Sequence, residues 1–156
     1  MNIKRMTLGM LAAASLLVSA TSRAADASAL MEPVKSVYEH YLKIQAELAK
    51  DSIKGVDEQA AAISKAVRGD DMKMLTPEVA KQADAVGAAK DIKAARTAFK
   101  PLSNSLIKYL AANKVPKGTY YEVYCPMAKA SWLQGDKKIA NPYFGADMLT
   151  CGEIKN

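Results

Sequence analysis

Residues 30–50 read LMEPVKSVYEHYLKIQAELAK, and their apolar side chains recur at the spacing of one helical face. The members of that apolar stripe are Val34, Val37, Tyr38, Tyr41, Leu42, Ile44 and Leu48. Charged residues occupy the opposite face, namely Lys35, Glu39, Lys43, Glu47 and Asp51, and their sign alternates from Lys35 to Glu47. The pattern predicts an amphipathic helix from about Leu30 to Lys50, with Ser28 as a candidate N-cap and Pro33 in its first turn.

A second helix is predicted after Gly55, which interrupts the pattern. Asp57 is a candidate cap for this helix, which is expected to continue to about Val67. The following residues, Arg68-Gly69-Asp70-Asp71, are typical of a helix end and a turn.

Two more helices follow. Thr76-Pro77-Glu78 combines a capping hydroxyl, a proline at the first helical position and an acid in the first turn, which predicts a third helix from Pro77 to about Ala89. A new apolar stripe predicts a fourth helix from about Asp91 to Ala112, kinked at Pro101. The members of this stripe are Ile92, Ala95, Phe99, Leu102, Leu106 and Tyr109.

The helical pattern ends at Asn113, and residues 114–156 are rich in aromatic residues, glycine and proline. Within them, residues 119–124 read TYYEVY, which predicts a short strand that leads directly to Cys125. The predicted fold is therefore mainly α. It is an antiparallel four-helix bundle over residues 28–113 with an irregular Cys/Met/aromatic-rich C-terminal motif that contains a short β element.

The N-terminal residues have the pattern of a secretory signal peptide. Lys4-Arg5 precedes an apolar run over residues 6–20, and Ser22-Arg23-Ala24 offers small residues at a cleavage site. We expect cleavage after Ala24, with Ala20 as the alternative, which leaves a single domain over residues 25–156 in the periplasm. The apolar run is shorter than the roughly 20 residues that span a bilayer, so no membrane insertion is expected after cleavage.

The charge of the chain gives little reason to expect a nucleic acid partner. The formal net charge is +6, and three of its basic residues (Lys4, Arg5 and Arg23) lie in the predicted leader without any acid, which leaves +3. Lysine and glutamate alternate along the predicted helices instead of forming a basic stripe interleaved with aromatic residues.

Both cysteines of the chain lie in the C-terminal motif, and each has a methionine close by in sequence. Cys125 is followed by Met127, and Met148 precedes Cys151. Two thiolates and two thioethers are a ligand set that suits a soft metal ion, above all Cu(I). Two cysteines in one exported domain also commonly form a disulfide, which would stabilise a loop of this size by roughly 3 to 4 kcal/mol. The sequence leaves both possibilities open.

Other chemistries find less support. Structural zinc sites take four Cys or His ligands, and His40 is the only histidine and lies in the first helix. The Cys-x-x-Cys-His motif of c-type haem attachment is missing, so we do not expect a covalently bound haem. A Gly-x-Ser-x-Gly nucleophile motif is also missing, so we do not expect an enzyme. Met72-Lys73-Met74 has Met-x-Met spacing, which is compatible with a secondary copper contact or with methionines that fasten an interhelical turn to the core.

The C-terminal motif resembles a bacterial domain-of-unknown-function family. The similarity rests on Tyr124-Cys125-Pro126-Met127-Ala128, Trp132-Leu133, Ile139, Asn141-Pro142-Tyr143-Phe144-Gly145, Met148 and Cys151-Gly152-Glu153. It extends upstream to Tyr41-Leu42, Ala46-Glu47-Leu48, Phe99-x-Pro101-Leu102-Ser103 and Leu106-Ile107. Members of that family occur as small exported proteins and as a C-terminal extension of CusB-type copper-efflux adaptors. The resemblance implies a periplasmic domain connected with heavy-metal handling and resistance, with a CusB-type adaptor as a candidate partner.

Residues 124–127 are also similar to the Tyr-x-Cys-Pro-Met-His core of short heavy-metal-binding domains. Here tyrosine directly precedes cysteine, and Ala128 replaces the histidine, so only the sulfur ligands carry over. The leading expectation is a non-enzymatic periplasmic protein that binds copper through Cys125, Met127, Met148 and Cys151, and that buffers Cu(I) or passes it to an efflux system. The alternative is a structural or interaction module that a Cys125–Cys151 disulfide holds together.

Overall fold

The computed structural model describes residues 29–155, so the predicted signal peptide, its cleavage site and the Ser28 cap lie outside the described residues. Within that range the chain forms four helices and then a small antiparallel sheet of three strands. The helices are α1 (Val34–Ala49), α2 (Val56–Arg68), α3 (Pro77–Gly87) and α4 (Ile92–Ala112). The strands are β1 (Tyr121–Cys125), β2 (Ala130–Gln134) and β3 (Glu153–Ile154), and a 3₁₀ turn covers Gly145–Met148. The mainly helical class is confirmed, whereas the antiparallel bundle arrangement stays a prediction.

The apolar stripe of α1 is the centre of the core. Six of its seven predicted members are buried, and Leu42 packs partly buried against them. The helix starts at Val34, directly after Pro33, which is later than the expected start at Leu30. Consecutive helices contact one another along the chain, and α4 and α1 also contact β2. The sheet is therefore attached to the first and last helices.

The start of α2 differs from the sequence prediction. Asp57 does not cap this helix, because the helix already begins at Val56 and Asp57 lies in its first turn. Gly55 is the residue before the helix, and its left-handed φ of 70° is a conformation that glycine adopts without steric cost. Asp57 still interacts favourably with the helix dipole at this end.

The third and fourth helices follow the predicted boundaries closely. α3 starts at Pro77 as expected, although the Thr76 hydroxyl makes no capping hydrogen bond, and it ends at Gly87, two residues before the expected Ala89. α4 begins after Asp91, whose carboxylate accepts a hydrogen bond from the Ala94 amide at 2.8 Å. The helix continues through Pro101, as predicted, and the kink at that proline stays a prediction.

The C-terminal motif contains more regular structure than the sequence indicated. β1 is the central strand of the sheet and pairs with β2 on one side and with β3 on the other. Cys125, the last residue of β1, pairs with Ala130, the first residue of β2. The predicted strand after residue 118 is thus confirmed, although it is one of three.

Hydrogen bonds between buried side chains join the sheet to the helices. The hydroxyl groups of Tyr41 in α1 and Ser103 in α4 lie 2.7 Å apart, and the Leu133 amide in β2 donates to Tyr41 at 3.1 Å. Tyr143 donates to the Ser131 carbonyl at 2.7 Å. Burial raises the pKa of Tyr41 and of Tyr143, so both phenols stay protonated and able to donate. This network attaches β2, the strand that pairs with the Cys125 strand, to α1 and α4.

Within residues 29–155, the helices are too short or too polar for any of them to cross a bilayer.

Candidate thiol site

The two cysteines lie in contact at the end of the sheet. Cys125 is the last residue of β1, and Cys151 lies just before the two-residue strand β3. Their Sγ atoms are 2.7 Å apart, and both residues are free thiols. A disulfide would bring the sulfur atoms to about 2.05 Å. The predicted convergence of the two segments is therefore present. The distance between the sulfur atoms is longer than a disulfide bond and shorter than the distance between two thiolate ligands of one metal ion.

The two thiols differ in exposure. Cys125 is fully buried, with an exposed fraction of 0%, because it lies at the end of the central strand. Cys151 is half-buried and follows the 3₁₀ turn, and its amide donates a hydrogen bond to the Met148 carbonyl at 3.0 Å. Solvent therefore reaches the pair from the Cys151 side.

Asn141 positions the segment that carries Cys151. Its buried side chain donates from Nδ2 to the Cys151 carbonyl at 2.8 Å and accepts the Tyr143 amide at Oδ1, at 2.9 Å. The Asn141 amide donates to the Leu149 carbonyl at 2.8 Å. In the sequence, Asn141-Pro142 is typical of a turn and is part of the family motif. The bonds to residues 149 and 151 depend on the tertiary fold, so no local pattern could reveal them.

Gly152 allows the same segment to lie directly against the sheet. A Cβ atom at this position would come within 2.7 Å of Val123 Cγ1 and 2.8 Å of Trp132 Cη2. Real side chains do not approach that closely, so only glycine fits without displacing its neighbours. The absence of a side chain at residue 152 thereby helps to hold Cys151 beside Cys125.

The surroundings of the thiols favour ionisation of Cys125 over Cys151. Burial raises the pKa of the Cys125 thiol, but hydrogen bonds from the Cys151 thiol, the Ala128 and Met127 amides and the Asn141 side chain outweigh it, so its pKa lies below the ordinary value. The pKa of Cys151 is raised, first by its hydrogen bond to Cys125 and then by burial. Cys125 is therefore the more acidic thiol of the pair.

The two methionines of the predicted ligand set lie at the surface. Met127 is 62% exposed and Met148 is 36% exposed. Neither side chain is part of the buried core, although most methionines of folded domains are buried. The structure thus brings the two predicted thiol ligands into contact and leaves both thioethers accessible, two and three residues from a cysteine.

Met127 also borders a groove of about 290 Å³ along α4. Three basic side chains of α4 line this groove, namely Lys93, Arg96 and Lys100, together with Ile92, Thr97, Ala128, Tyr143 and Phe144. The Lys100 ammonium donates to the Ala128 carbonyl at 3.0 Å and lies 5.5 Å from the centre of the Tyr143 ring. The groove is therefore cationic on one wall and aromatic on the other.

The remaining predicted candidates do not form a second site in the described part of the chain. Among residues 29–155, no group of three or more His, Cys, Asp or Glu side chains could hold a metal ion. The His40 Nδ1 atom lies 2.8 Å from Gln59 Oε1, and the ring is half-buried between α1 and α2. Met72 is exposed, whereas Met74 packs partly buried against the core. The latter position agrees with a methionine that fastens the α2–α3 turn.

The fold and the thiol pair together define a small, mainly helical domain with two contacting cysteines on a C-terminal sheet. Residues 37–118 match the family described as "Protein of unknown function (DUF3347)", and because the match covers more than half of the chain, the chain belongs to this family. The matched region extends from α1 into the loop before β1, so the thiol pair lies beyond it. Comparisons with curated proteins and with solved structures give no match.

Proposed function

We propose that this protein binds Cu(I) through Cys125 and Cys151, outside the cytoplasm, and that it buffers the ion or passes it to an efflux partner without catalysing a reaction. The observation that carries the proposal is the contact of two free thiols, 2.7 Å apart, in a chain whose export is predicted from its N-terminal residues. The antiparallel bundle predicted for the helices would serve as the rigid support of this site.

The hydrogen bonds around Cys125 favour a metal ligand. A cysteine binds a metal as the thiolate, so protons compete with the metal for the sulfur. Hydrogen bonds from the Cys151 thiol and from the Ala128 and Met127 amides lower the pKa of Cys125 and weaken that competition at its sulfur, whereas the raised pKa of Cys151 strengthens it at the second sulfur. A thiolate is a soft ligand, and it favours Cu(I) over hard cations such as Mg²⁺ and Ca²⁺.

Metal binding requires a small movement of one thiol. At a metal–sulfur distance of about 2.3 Å and a tetrahedral angle, the two sulfur atoms stand about 3.8 Å apart, so the pair has to widen by about 1 Å. Cys151 is the residue that moves, because it follows a 3₁₀ turn and is half-buried, whereas Cys125 is buried in the central strand. The exposed thioethers of Met127 and Met148 then complete the coordination as weak and replaceable ligands.

The cationic groove beside Met127 supports transfer to a partner. A protein that accepts the ion from Met127 approaches across the groove wall formed by Lys93 and Lys100. An acidic surface on a CusB-type adaptor would be attracted to these charges, which raises the rate of encounter. Replacement of a thioether by a ligand of the partner then moves the ion without breaking a thiolate bond first.

A second candidate function is a structural or interaction module fastened by a Cys125–Cys151 disulfide. The short distance between the sulfur atoms favours this candidate, since oxidation requires less movement than metal binding. The two candidates exclude each other only in a given redox state. The disulfide occupies the thiols when the pair is oxidised, and Cu(I) binds when it is reduced.

Anaerobic titration of the reduced protein with Cu(I), against a competing chelator, tests the copper proposal. We expect one Cu(I) per chain for the wild type and a loss of this binding in the double variant Cys125→Ser/Cys151→Ser. Met127→Leu and Met148→Leu should each weaken binding by about tenfold. Met31→Leu is the matched control, because Met31 is also 62% exposed and should leave the affinity unchanged.

Two outcomes contradict the proposal at different levels. If the Met127→Leu/Met148→Leu variant retains the affinity of the wild type, the four-sulfur site is wrong, and a two-thiolate site remains. If the double cysteine variant still binds one Cu(I) with the same affinity, the thiol pair is not the site and the proposed function fails.

A further inference from the structure

We propose that Cys151 is the sulfur atom through which a dithiol reductant opens the Cys125–Cys151 disulfide, and that Cys125 is the leaving thiolate. This inference rests on the proposed function in one respect, since reduction is the step that makes the pair available to Cu(I). It adds a modification site, Cys151, and a class of partner, a protein or small molecule that carries two thiols.

Access to the two sulfur atoms is unequal. A thiolate has to approach the sulfur that it attacks along the axis of the S–S bond. The exposure of each sulfur therefore influences the rate of exchange and decides which of the two sulfur atoms is attacked. Cys125 is 0% exposed and lies at the end of the central strand. Cys151 is half-buried and is preceded by the exposed residues Leu149 and Thr150. A reductant from solvent therefore reaches Cys151 first.

The turn after β1 places hydrogen-bond donors around the sulfur that leaves. The chain reverses between Cys125 and Ala130, where Lys129 has a left-handed φ of 47° and its amide donates to the Pro126 carbonyl at 3.3 Å. In this turn the amides of Met127 and Ala128 both donate to the Cys125 sulfur. The negative charge of the leaving sulfur therefore develops beside two backbone donors. Exposure and the position of these donors select the same direction of cleavage.

The exchange is balanced with a dithiol as the only co-reactant. The first thiolate of the reductant attacks the Cys151 Sγ atom, the S–S bond breaks, and its electron pair leaves on the Cys125 Sγ atom. The product is a mixed disulfide between the reductant and Cys151. The second thiolate of the reductant then attacks the reductant sulfur that is bonded to Cys151. This step releases Cys151 as a thiolate, which takes a proton from water. Two electrons pass to the protein, and the reductant becomes a disulfide.

Peptide mapping of glutathione adducts tests this inference without any metal. The oxidised protein is mixed with reduced glutathione, and free thiols are blocked within seconds by a methanethiosulfonate before mass spectrometry. We expect glutathione on Cys151 in at least tenfold excess over Cys125, with the blocking group on Cys125. Adducts in equal amounts, or mainly on Cys125, would overturn the inference, as would failure of the reduced protein to form an intramolecular disulfide on oxidation.

Single-cysteine variants supply a second measurement under native conditions. In Cys125→Ser only Cys151 is left, and in Cys151→Ser only Cys125 is left, so the rate of reaction with an aromatic disulfide, measured at a pH where both thiols are ionised, reports the access of each thiol. Cys151 should react at least tenfold faster, and a faster reaction of Cys125 would contradict the proposal. Helical circular dichroism confirms that each variant is folded. A protein that shows this preference but binds no Cu(I) would overturn the proposed function and leave the redox inference standing.

Discussion

At the scale of single residues, Gly152 has more influence on the candidate site than its size suggests. Alanine at this position would place a Cβ atom 2.7 Å from Val123 Cγ1 and 2.8 Å from Trp132 Cη2. Val123 and Trp132 are fully buried, so neither side chain has free space into which it could move. We expect Gly152→Ala to lower the free energy of unfolding by about 1 to 3 kcal/mol, measured by urea denaturation.

The same substitution should also move Cys151 away from Cys125. The reduced Gly152→Ala protein should form the disulfide at least several times more slowly than the wild type. Gly135→Ala is the control, since its Cβ would meet only Leu42 Cδ1, at an ordinary 3.4 Å. Equal stability and equal oxidation rates in the two variants would show that the packing of Gly152 does not position the thiol pair.

At the scale of elements, the Arg96 guanidinium joins α1, α4 and the C-terminal motif. Its Nε atom donates to the Pro142 carbonyl at 2.8 Å, and its Nη2 atom donates to the Leu48 carbonyl at 3.0 Å and to Asp51 Oδ1 at 2.6 Å. A lysine ammonium cannot reproduce this planar set of donors.

Arg96→Lys should therefore lower the free energy of unfolding by about 1 to 3 kcal/mol, because buried carbonyl groups lose their donors. Arg68→Lys is the matched control. Arg68 pairs with Asp84 between α2 and α3, but both side chains are about half exposed, and exposed ion pairs contribute at most about 1 kcal/mol. Thermal denaturation of the two variants measures the difference. A loss for Arg68→Lys as large as that for Arg96→Lys would contradict the role assigned to Arg96.

The Asp51 carboxylate makes this connection dependent on pH. Its hydrogen bonds from the Ala146 amide and from Arg96 lower its pKa below the ordinary value. Its contribution is therefore present above about pH 4, the ordinary aspartate value, and is lost as the pH falls through the lower pKa of the folded state. In that acidic range the free energy of unfolding should rise with pH less steeply for Asp51→Asn than for the wild type, in urea titrations from pH 2 to pH 7. Identical slopes would show that Asp51 does not carry this dependence.

The predictability of the elements follows from how local their determinants are. The four helices could be placed within a few residues because their apolar stripes and start signals, such as Thr76-Pro77, lie within each helix. β2 was not found, because its residues are almost all buried and show no alternation of polar and apolar side chains. β3 has only two residues and exists through its pairing with β1. The hydrogen bonds of Asn141 to residues 149 and 151 and the close approach of Gly152 are tertiary features, so they too lay beyond local patterns.

At the scale of the whole molecule, the redox state of the thiol pair should change the stability of the entire domain. A Cys125–Cys151 disulfide links the central strand to the segment before β3, and it restricts the unfolded chain. We expect the free energy of unfolding of the oxidised protein to exceed that of the reduced protein by about 3 to 4 kcal/mol. Guanidinium titrations with and without a reductant measure this difference. The double variant Cys125→Ser/Cys151→Ser should not respond to the reductant. An oxidised wild type no more stable than the reduced form would contradict this coupling.

The central claim is that the thiol pair, once reduced, is a sulfur site for Cu(I), and X-ray absorption at the copper edge of the Cu(I)-loaded protein tests it most directly. We predict a first coordination shell of sulfur atoms alone, at about 2.3 Å, that contains the Cys125 and Cys151 thiolates and loses sulfur scatterers in Met127→Leu/Met148→Leu. A first shell of nitrogen or oxygen atoms, or a protein that retains no copper after desalting, would contradict the account.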